Sequence, residues 1–135
     1  MMCVAALKSL WCDSLRRLPF YDDSFDVDVR SSGSVSSWYA DLIYRHPLFI
    51  RSEHQDGTLV VATVAEGLGF IDSFQVKAGE RRRGHGRLLY ETVEQVMVAF
   101  GCQNIQLSAS FHARPFWERM GFRYKNGNQL YEKVL

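Results

Sequence analysis

One stretch of the sequence, residues 70–101, constrains the fold most, because its hydrophobic period changes from two to 3.6 on either side of a short basic loop. Its first part alternates in the manner of a β-strand at Phe70, Asp72, Phe74 and Val76. After the loop, apolar residues recur at the spacing of an amphipathic helix: Leu89, Val93, Val96, Met97 and Phe100. Gly101 stands where such a helix would end. The stretch therefore predicts a strand, a loop and a helix in direct succession.

The loop between this strand and this helix is rich in arginine and glycine. Four arginines lie between Arg81 and Arg87 against a single acidic residue, Glu80, and Gly84 and Gly86 interrupt them. The first backbone N–H groups of a helix have no intrahelical partner and carry the positive end of its dipole. Glycine lets such a backbone approach a ligand closely. The loop therefore indicates a site that grips phosphate groups, with a basic surface turn before an ordinary helix as the alternative.

Two other phosphate-binding patterns are excluded. The P-loop requires Gly-Lys followed by Ser or Thr, and this combination occurs nowhere in the chain. The dinucleotide pattern G-x-G-x-x-G requires a third glycine where the chain has Leu89. That pattern also requires an acidic residue about 20 positions further on, where the chain reads Leu107-Ser108-Ala109. What remains is R-x-x-G-x-G, and Arg81, Gly84 and Gly86 form it.

Composition and charge set the general class. A chain of 135 residues with 47% hydrophobic and 23% charged residues is expected to form one globular domain. Its formal net charge of +1 gives no overall field that would attract nucleic acid or an anionic membrane. The three cysteines and four histidines have no metal-ligand spacing, so no metal site is expected. The cysteines are expected to be free thiols in a reducing cytoplasm. Residues 1–7 are apolar but short, and no run of about 18 apolar residues exists, so neither a signal peptide nor a membrane span is expected.

The rest of the chain predicts alternating helices and strands. The predicted helices are residues 3–17, a segment around 38–45 that follows a polar turn at 31–37, and 111–120. The predicted strands are residues 25–29, 49–53, 58–65 and 105–109. Asn126-Gly127 is the strongest hairpin signal in the chain and lies between residues 122–124 and 129–135. This order predicts an α/β (α+β) domain with helices layered on a mixed sheet.

Two motifs on these elements resemble the GNAT (Gcn5-related N-acetyltransferase) superfamily. The R-x-x-G-x-G loop resembles the acyl-coenzyme A loop of that family. Residues 113–122, ARPFWERMGF, resemble the family pattern A-x-x-F-Y-x-x-x-G-F on the short helix after the fifth strand, with Trp117 where Tyr is usual. A closing hairpin is also usual in the family.

This resemblance covers residues 58–135, and the first 57 residues carry no matching motif. It implies a single GNAT-like domain over residues 1–135, with an acceptor-side region at 1–57 and an acyl-CoA-binding core at 58–135. The implied fold is a mixed central sheet flanked by helices, in which two parallel strands splay apart at a coenzyme A cleft.

The resemblance also implies where acetyl-CoA lies. Its pantetheine arm is expected to pair with backbone in the splay, and its pyrophosphate to lie on the N–H groups at the start of the long helix. The implied cofactor-binding residues are Phe74, Gln75, Val76, Arg81, Arg82, Arg83, Gly84, His85, Gly86, Arg87, Ser110, Ala113 and Phe116. Plain core packing is the alternative for several of these side chains, since the expected contacts involve mostly backbone and shape.

The implied reaction is direct attack of an amine on the thioester within a ternary complex. The backbone N–H of Val76 is the expected oxyanion donor. Asp72 is the expected general base, with its side chain on the strand face opposite that of Ser73, and Glu66 and His112 are the alternatives.

The presence of Trp117 instead of Tyr affects protonation of the thiolate that leaves, because an indole N–H cannot serve as a titrating acid. In a family member with Tyr at this position, the phenol can donate a proton to the thiolate. Here Tyr124, Tyr131 or a water molecule would have to take that role, with Tyr124 the expected residue.

Two classes of function therefore remain open at this stage. The first is an acetyl-CoA-dependent N-acetyltransferase that acts on an amine of a protein or small molecule. The second is a GNAT-fold module that has lost turnover and binds a protein partner, with or without coenzyme A. A nucleic-acid partner would depend on the arginine run alone, without aromatic stacking motifs around it, and no membrane partner is expected. Exposed edge strands in this fold often pair, so a homodimer is among the expected states.

Overall fold

The computed structural model describes residues 3–19, 21, 26–32, 39–45, 59–75, 84–127 and 129–135. Within these residues the chain forms three helices and seven strands. In chain order they are α1 (Val4–Arg16), β1 (Asp26–Ser32), β2 (Tyr39–Arg45), β3 (Leu59–Ala65), β4 (Leu68–Gln75), α2 (His85–Phe100), β5 (Asn104–Ser108), α3 (Arg114–Arg119), β6 (Arg123–Asn126) and β7 (Leu130–Val134).

The strands form one mixed sheet in the order β1-β2-β3-β4-β5-β7-β6. β4 and β5 run parallel, and every other neighbouring pair is antiparallel. The parallel pair requires a crossover connection, which α2 supplies. This arrangement confirms the predicted α/β fold with a mixed sheet flanked by helices.

The predicted helix around residues 38–45 is wrong, because Tyr39–Arg45 is the strand β2. Ala40, Leu42 and Tyr44 are completely buried at every second position, which is the period of a strand. The segment pairs along its whole length with β1 on one side and β3 on the other, and this tertiary pairing overrides local propensity. The predicted polar turn at residues 31–37 is wrong at its first two residues, which belong to β1, and its remaining residues lie outside the described part of the chain. The predicted strand at 49–53 lies outside the described residues.

The core lies between the helices α1 and α2 and one face of the sheet. α1 contributes Leu7, Trp11 and Leu15, all fully buried, and it contacts both α2 and β1. The Trp11 indole Nε1–H donates a buried hydrogen bond to the carbonyl of Ile43 in β2, at 3.0 Å. This bond ties the first helix to the sheet.

The long helix α2 packs its apolar stripe on the same core. Its buried residues include the predicted Leu89, Val93, Val96 and Met97. Gly101 ends it in the left-handed conformation, with φ of 106°, and its N–H donates to the carbonyls of Met97 and Val98. The opposite sheet face carries polar side chains, among them the cross-strand partners Asp41 and Thr63.

None of the three helices in the described residues is both long enough and apolar enough to cross a membrane.

We predict that Trp11→Phe lowers the free energy of unfolding by about 1–3 kcal/mol, because it removes the donor to a buried carbonyl and retains an aromatic ring. Urea denaturation measures this difference. Trp11→Ala serves as the comparison and is expected to lose about 3–5 kcal/mol, since it also leaves a cavity. An unchanged midpoint and slope in the Phe variant would show that the bond contributes nothing.

Candidate active site

The parallel strands β4 and β5 pair over only four positions. The register runs from Leu68 opposite Asn104 to Ile71 opposite Leu107, and it stops there. β4 nevertheless continues to Gln75, and over this part its partner among the described strands is β3. β5 continues to Ser108, which pairs with Leu130 of β7. The two strands therefore part at their C-terminal ends, and the backbone groups on the two facing edges no longer satisfy each other.

A β-bulge lies at the point of parting. Ile71 is opposite Ala62 of β3 and Ser73 is opposite Val61, so Asp72 between them has no cross-strand partner. The Asp72 carboxylate accepts a hydrogen bond from Thr63, which shares a sheet face with Val61. Simple alternation placed Asp72 on the face opposite Ser73, and this expectation is wrong. The extra residue in β4 brings both side chains to the same face.

The N-terminus of α2 lies beside the parting strands. Gly84 precedes the helix with a φ of 79°, a left-handed conformation that glycine adopts at no steric cost. No side chain of the described residues caps this terminus, and no acidic residue occurs in its first turn. The helix ladder begins with the N–H of Leu88 donating to the Gly84 carbonyl at 3.0 Å. The earlier N–H groups of such a terminus are available to an anion.

A cavity of about 1090 Å³ extends from this terminus between α2 and α3. Eight of the residues expected to bind the cofactor line it: Phe74, Gln75, Gly84, Gly86, Arg87, Ser110, Ala113 and Phe116. His85 is half-buried in the first turn of α2 and is not among the lining residues. Val76, Arg81, Arg82 and Arg83 lie outside the described residues. The structure thus brings together three separate segments of sequence at one cavity, and the role of each residue there stays a prediction.

Sequence reasoning missed a polar cluster on the cavity wall. Lys133 Nζ lies 2.7 Å from Glu94 Oε1, and the Tyr90 hydroxyl donates to the same oxygen at 3.3 Å. Lys133 also lies over the Tyr90 ring, 5.3 Å from its centroid. Burial, followed by the Glu94 charge, raises the pKa of Tyr90, so its phenol keeps its proton. Helical spacing from Gly86 could have identified Tyr90 and Glu94, but Lys133 comes from β7 and only the tertiary fold brings it here.

Trp117 is the centre of an aromatic cluster in the same wall. Its ring centroid lies 5.1 Å from Phe74, 5.6 Å from Tyr90, 4.9 Å from Phe116 and 5.3 Å from Phe122, each in an edge-to-face arrangement. Only 5% of its surface is exposed. Such pairs are favourable beyond the apolar area that they bury. Trp117 therefore has a packing role that joins α3 to β4 and α2.

The three candidates for the general base, Glu66, His112 and Asp72, lie in different parts of the structure. Glu66 is in the turn before β4, at the end of that strand away from the parting. His112 lines the cavity and is exposed. Asp72 lies at the parting itself, with Thr63 Oγ1 at 2.7 Å from its Oδ2. Partial burial raises the pKa of Asp72, the charge of Asp41 raises it further, and the Thr63 hydrogen bond opposes both.

The tyrosines suggested as proton donors lie on the closing hairpin. The hydroxyl of Tyr124 donates to the Gly127 carbonyl at 3.2 Å, and its ring packs against Tyr131 with centroids 5.8 Å apart. Neither residue is among those that line the cavity. Among the described residues, no three His, Cys, Asp or Glu side chains converge as a metal site would require.

Comparison with known proteins identifies the family to which the sequence is similar. The sequence model of a family described as "Acetyltransferase (GNAT) family" matches residues 18–122. A search of curated proteins finds no significant sequence match.

Solved structures show the same fold. GCN5 from Tetrahymena is 14% identical, with 95% of this chain and 83% of that chain covered and a TM-score of 0.56. An acetyltransferase from Bacillus cereus is 17% identical, with 100% and 95% covered and a TM-score of 0.53. A paia N-acetyltransferase from Thermoplasma acidophilum, solved with coenzyme A, is 13% identical, with 65% and 66% covered and a TM-score of 0.53. At these identities the likeness establishes the fold alone.

We predict that Trp117→Ala lowers the free energy of unfolding by about 3–5 kcal/mol, because it empties the centre of the aromatic cluster. Trp117→Phe keeps a ring in the cluster and is expected to lose clearly less. Urea denaturation of both variants checks the difference. Wild-type stability in the Ala variant would mean that the cluster is not a structural support.

Proposed function

We propose, from the premise that this chain belongs to the acetyltransferase (GNAT) family, that the protein transfers an acetyl group from acetyl-CoA to an amine of a protein or small molecule. The amine attacks directly, within a ternary complex. One observation supports this proposal most, namely the parting of β4 and β5 after Ile71 and Leu107 beside the uncapped N-terminus of α2. A slot with unpaired backbone edges and an anion-binding helix end are the two features that a thioester on a long diphosphate carrier requires.

The described residues fit acetyl-CoA in size and chemistry. The cavity of about 1090 Å³ is slightly larger than the range of about 300–1,000 Å³ for small-molecule sites, as a long ligand such as acetyl-CoA requires. The facing edges of β4 and β5 offer N–H and C=O groups to the amide-rich pantetheine arm. The first turn of α2, at Gly84 and Gly86, offers N–H groups to the diphosphate. Arg87 adds positive charge there, partly offset by its ion pair with Glu91 at 2.8 Å. We propose that Arg81, Arg82 and Arg83 add more.

When bound, acetyl-CoA supplies an acetyl group activated as a thioester. We propose that Asp72 takes the proton of the attacking amine, because it is the first residue of β4 beyond the last pair with β5. The backbone N–H of Val76, the next residue after β4, is the proposed donor to the oxyanion. Tyr124 or water is the proposed proton source for the thiolate, and Tyr124 would first have to leave its bond to Gly127.

The acceptor side is proposed to be built by residues 1–57 within one domain. Of this region, β1 and β2 continue the sheet beyond β3, on the side of β4 away from β5. Their polar face therefore adjoins Asp72, and an amine bound there would meet Asp72 from the side opposite the cavity.

A second candidate function is a binding module that keeps the fold and has lost turnover. The burial of Trp117 favours it, because the position at which relatives of this pattern carry a tyrosine has no hydroxyl here. Loss of a general acid slows a reaction by about 10²–10⁴-fold. It does not abolish this reaction, because a thiol is an adequate leaving group at neutral pH. The enzyme is therefore the proposal, and the module is the outcome to be tested against it.

One experiment separates the two functions. Calorimetry with acetyl-CoA measures binding, and a thiol reagent then measures coenzyme A release with a panel of primary amines and amine-bearing peptides. Binding with amine-dependent thiol release supports the enzyme. Binding without thiol release for any acceptor favours the module, and absence of binding contradicts both the enzyme and the cofactor.

We predict that Gly84→Glu weakens acetyl-CoA binding by on the order of 100-fold or more, because a carboxylate would face the diphosphate at the helix N-terminus. Gly84→Gln is the matched control. It has the same size and the same unfavourable φ, and a Cβ at this position meets no atom of the described residues within 4 Å, so the two variants differ in charge. Calorimetry measures the affinity of both variants for acetyl-CoA. Equal affinities of the Glu and Gln variants would contradict the proposed position of the diphosphate.

We predict that Trp117→Tyr turns over at least as fast as wild type, since a phenol at this position can donate a proton to the thiolate. Trp117→Phe is its control, because it lacks only the hydroxyl. The ratio of kcat for the Tyr and Phe variants measures what the hydroxyl contributes. A large loss of kcat in the Tyr variant would show that Trp117 itself has a positive catalytic role.

A further inference from the structure

One hydroxyl lies between two carboxylates on the polar face of the sheet. Thr63 Oγ1 is 2.8 Å from Asp41 Oδ1 and 2.7 Å from Asp72 Oδ2. A hydroxyl has one hydrogen, so it can donate to only one of these oxygens at a time. With both carboxylates ionised, the other contact would bring two oxygens together without a proton. Both contacts become hydrogen bonds when the trio holds one additional proton, with one carboxylic acid donating to Oγ1 and Oγ1 donating to the other carboxylate.

The fold holds this trio at the parting of the strands. Asp41 and Thr63 are cross-strand partners in β2 and β3, and Asp72 occupies the bulge in β4. Phe70 of β4 is the cross-strand partner of Thr63, so Asp72, two residues further along β4, lies on the same sheet face as Thr63. The trio therefore includes the first residue of β4 beyond the last β4–β5 pair.

No basic side chain in the described part of the chain forms an ion pair with Asp41 or Asp72. On β1, Arg30 is the cross-strand partner of Asp41, but its Nε bonds to Asp28 at 3.2 Å.

On the other side of β4, β5 presents the neutral Gln106, which donates to Glu132 of β7 at 2.7 Å. Lys125 of β6 lies 3.0 Å from the same Glu132 oxygen. Within the described strands, the charge that acts on Asp72 is thus that of Asp41, and neither carboxylate has an ion-pair partner among the described residues.

We propose that Thr63 and Asp41 are positioning residues that set the protonation state of Asp72, and through it the pH at which the acceptor amine loses its proton. This inference rests on the proposed function. The acceptor arrives as a protonated amine: one of its N–H bonds breaks, an O–H bond forms on Asp72, and the electron pair of that N–H bond stays on the now neutral nitrogen for attack. The new carboxylic acid donates to Thr63 Oγ1, and the Thr63 hydroxyl donates to Asp41. The arriving proton thereby completes both hydrogen bonds.

Asp41 and Thr63 act on the pKa of Asp72 in opposite directions. The negative charge of Asp41 disfavours the ionised form of Asp72, and the Thr63 hydroxyl favours it. The pKa of Asp72 is raised by burial first, with Asp41 adding to the rise and Thr63 reducing it. A base works only when ionised, so a lower pKa extends activity to lower pH and a higher pKa removes activity there.

The test is the pH profile of kcat/KM for thiol release in three variants. Asp41→Asn removes the charge, so the acid limb of the profile moves to lower pH. Thr63→Val keeps the shape and removes the hydrogen bond, so the acid limb moves to higher pH. Thr63→Ser retains a hydroxyl and returns the limb toward the wild-type position. Asp72→Asn, the reference variant, loses about 10²–10⁴-fold in rate.

A second measurement does not depend on turnover. Titration of the Asp72 side-chain carboxyl by ¹³C NMR, in the wild type and the same variants without acetyl-CoA, is expected to show the same opposite displacements. A role in packing alone would not move the titration in two directions. If Thr63→Val fails to fold, the downward displacement in Asp41→Asn decides.

The outcomes separate this inference from the proposed function. Opposite displacements by NMR without thiol release support the coupling among the three residues and contradict the proposed function. Thiol release with displacements that are absent, or that run in the same direction for both variants, overturns the inference and leaves the proposed function standing.

Discussion

The early end of the parallel pairing between β4 and β5 is the constraint on which the site depends. Each strand keeps its other neighbour beyond the parting, so neither loses its conformation there. β4 pairs with β3 through Gln75 opposite Leu59, and the chain after β5 stays on the hairpin through the Ala109 N–H bond to the Gln129 carbonyl. The last pair, Ile71 and Leu107, is anchored in the core, and the next residues on both strands are exposed. The fold thus holds open two edges that a regular sheet would close.

The helices that follow each of these strands form the rest of the site. α2 begins at an uncapped glycine terminus beside the opening, and α3 carries Phe116 and Trp117 against Phe74 on β4. The aromatic cluster gives the cavity a rigid apolar wall, and the bonded group of Tyr90, Glu94 and Lys133 gives it a polar one. The proposed binding surface and the packing therefore belong to the same elements, and Trp117 contributes to the packing at the position where the resemblance expects a tyrosine.

Much of this architecture follows from local sequence pattern, and the remainder from pairing that local pattern does not encode. The change of period around Gly84, the stop at Gly101 and the Asn126-Gly127 turn predicted β4, α2 and the closing hairpin, because each is a property of neighbouring residues. β2 was predicted as a helix, since a short run such as Tyr39–Arg45 satisfies both periods and only its two neighbours decide. The bulge in β4, the approach of Lys133 and the Asp41–Thr63–Asp72 trio each depend on strand register or topology, so spacing along the sequence could not predict them. The family match extends to residue 18, well before the two motifs that carried the resemblance.

The central claim is that the opening between β4 and β5 receives the thioester arm of a carrier whose diphosphate lies on α2. Backbone amide chemical shifts, followed by NMR during titration with acetyl-CoA, test this claim most directly. The account predicts that the largest changes among the described residues occur together at 73–75, 84–87 and 110–113, the two edges of the opening and the start of α2. Saturable binding with those amides unmoved, and with changes confined to the closing hairpin or to α1, would contradict it.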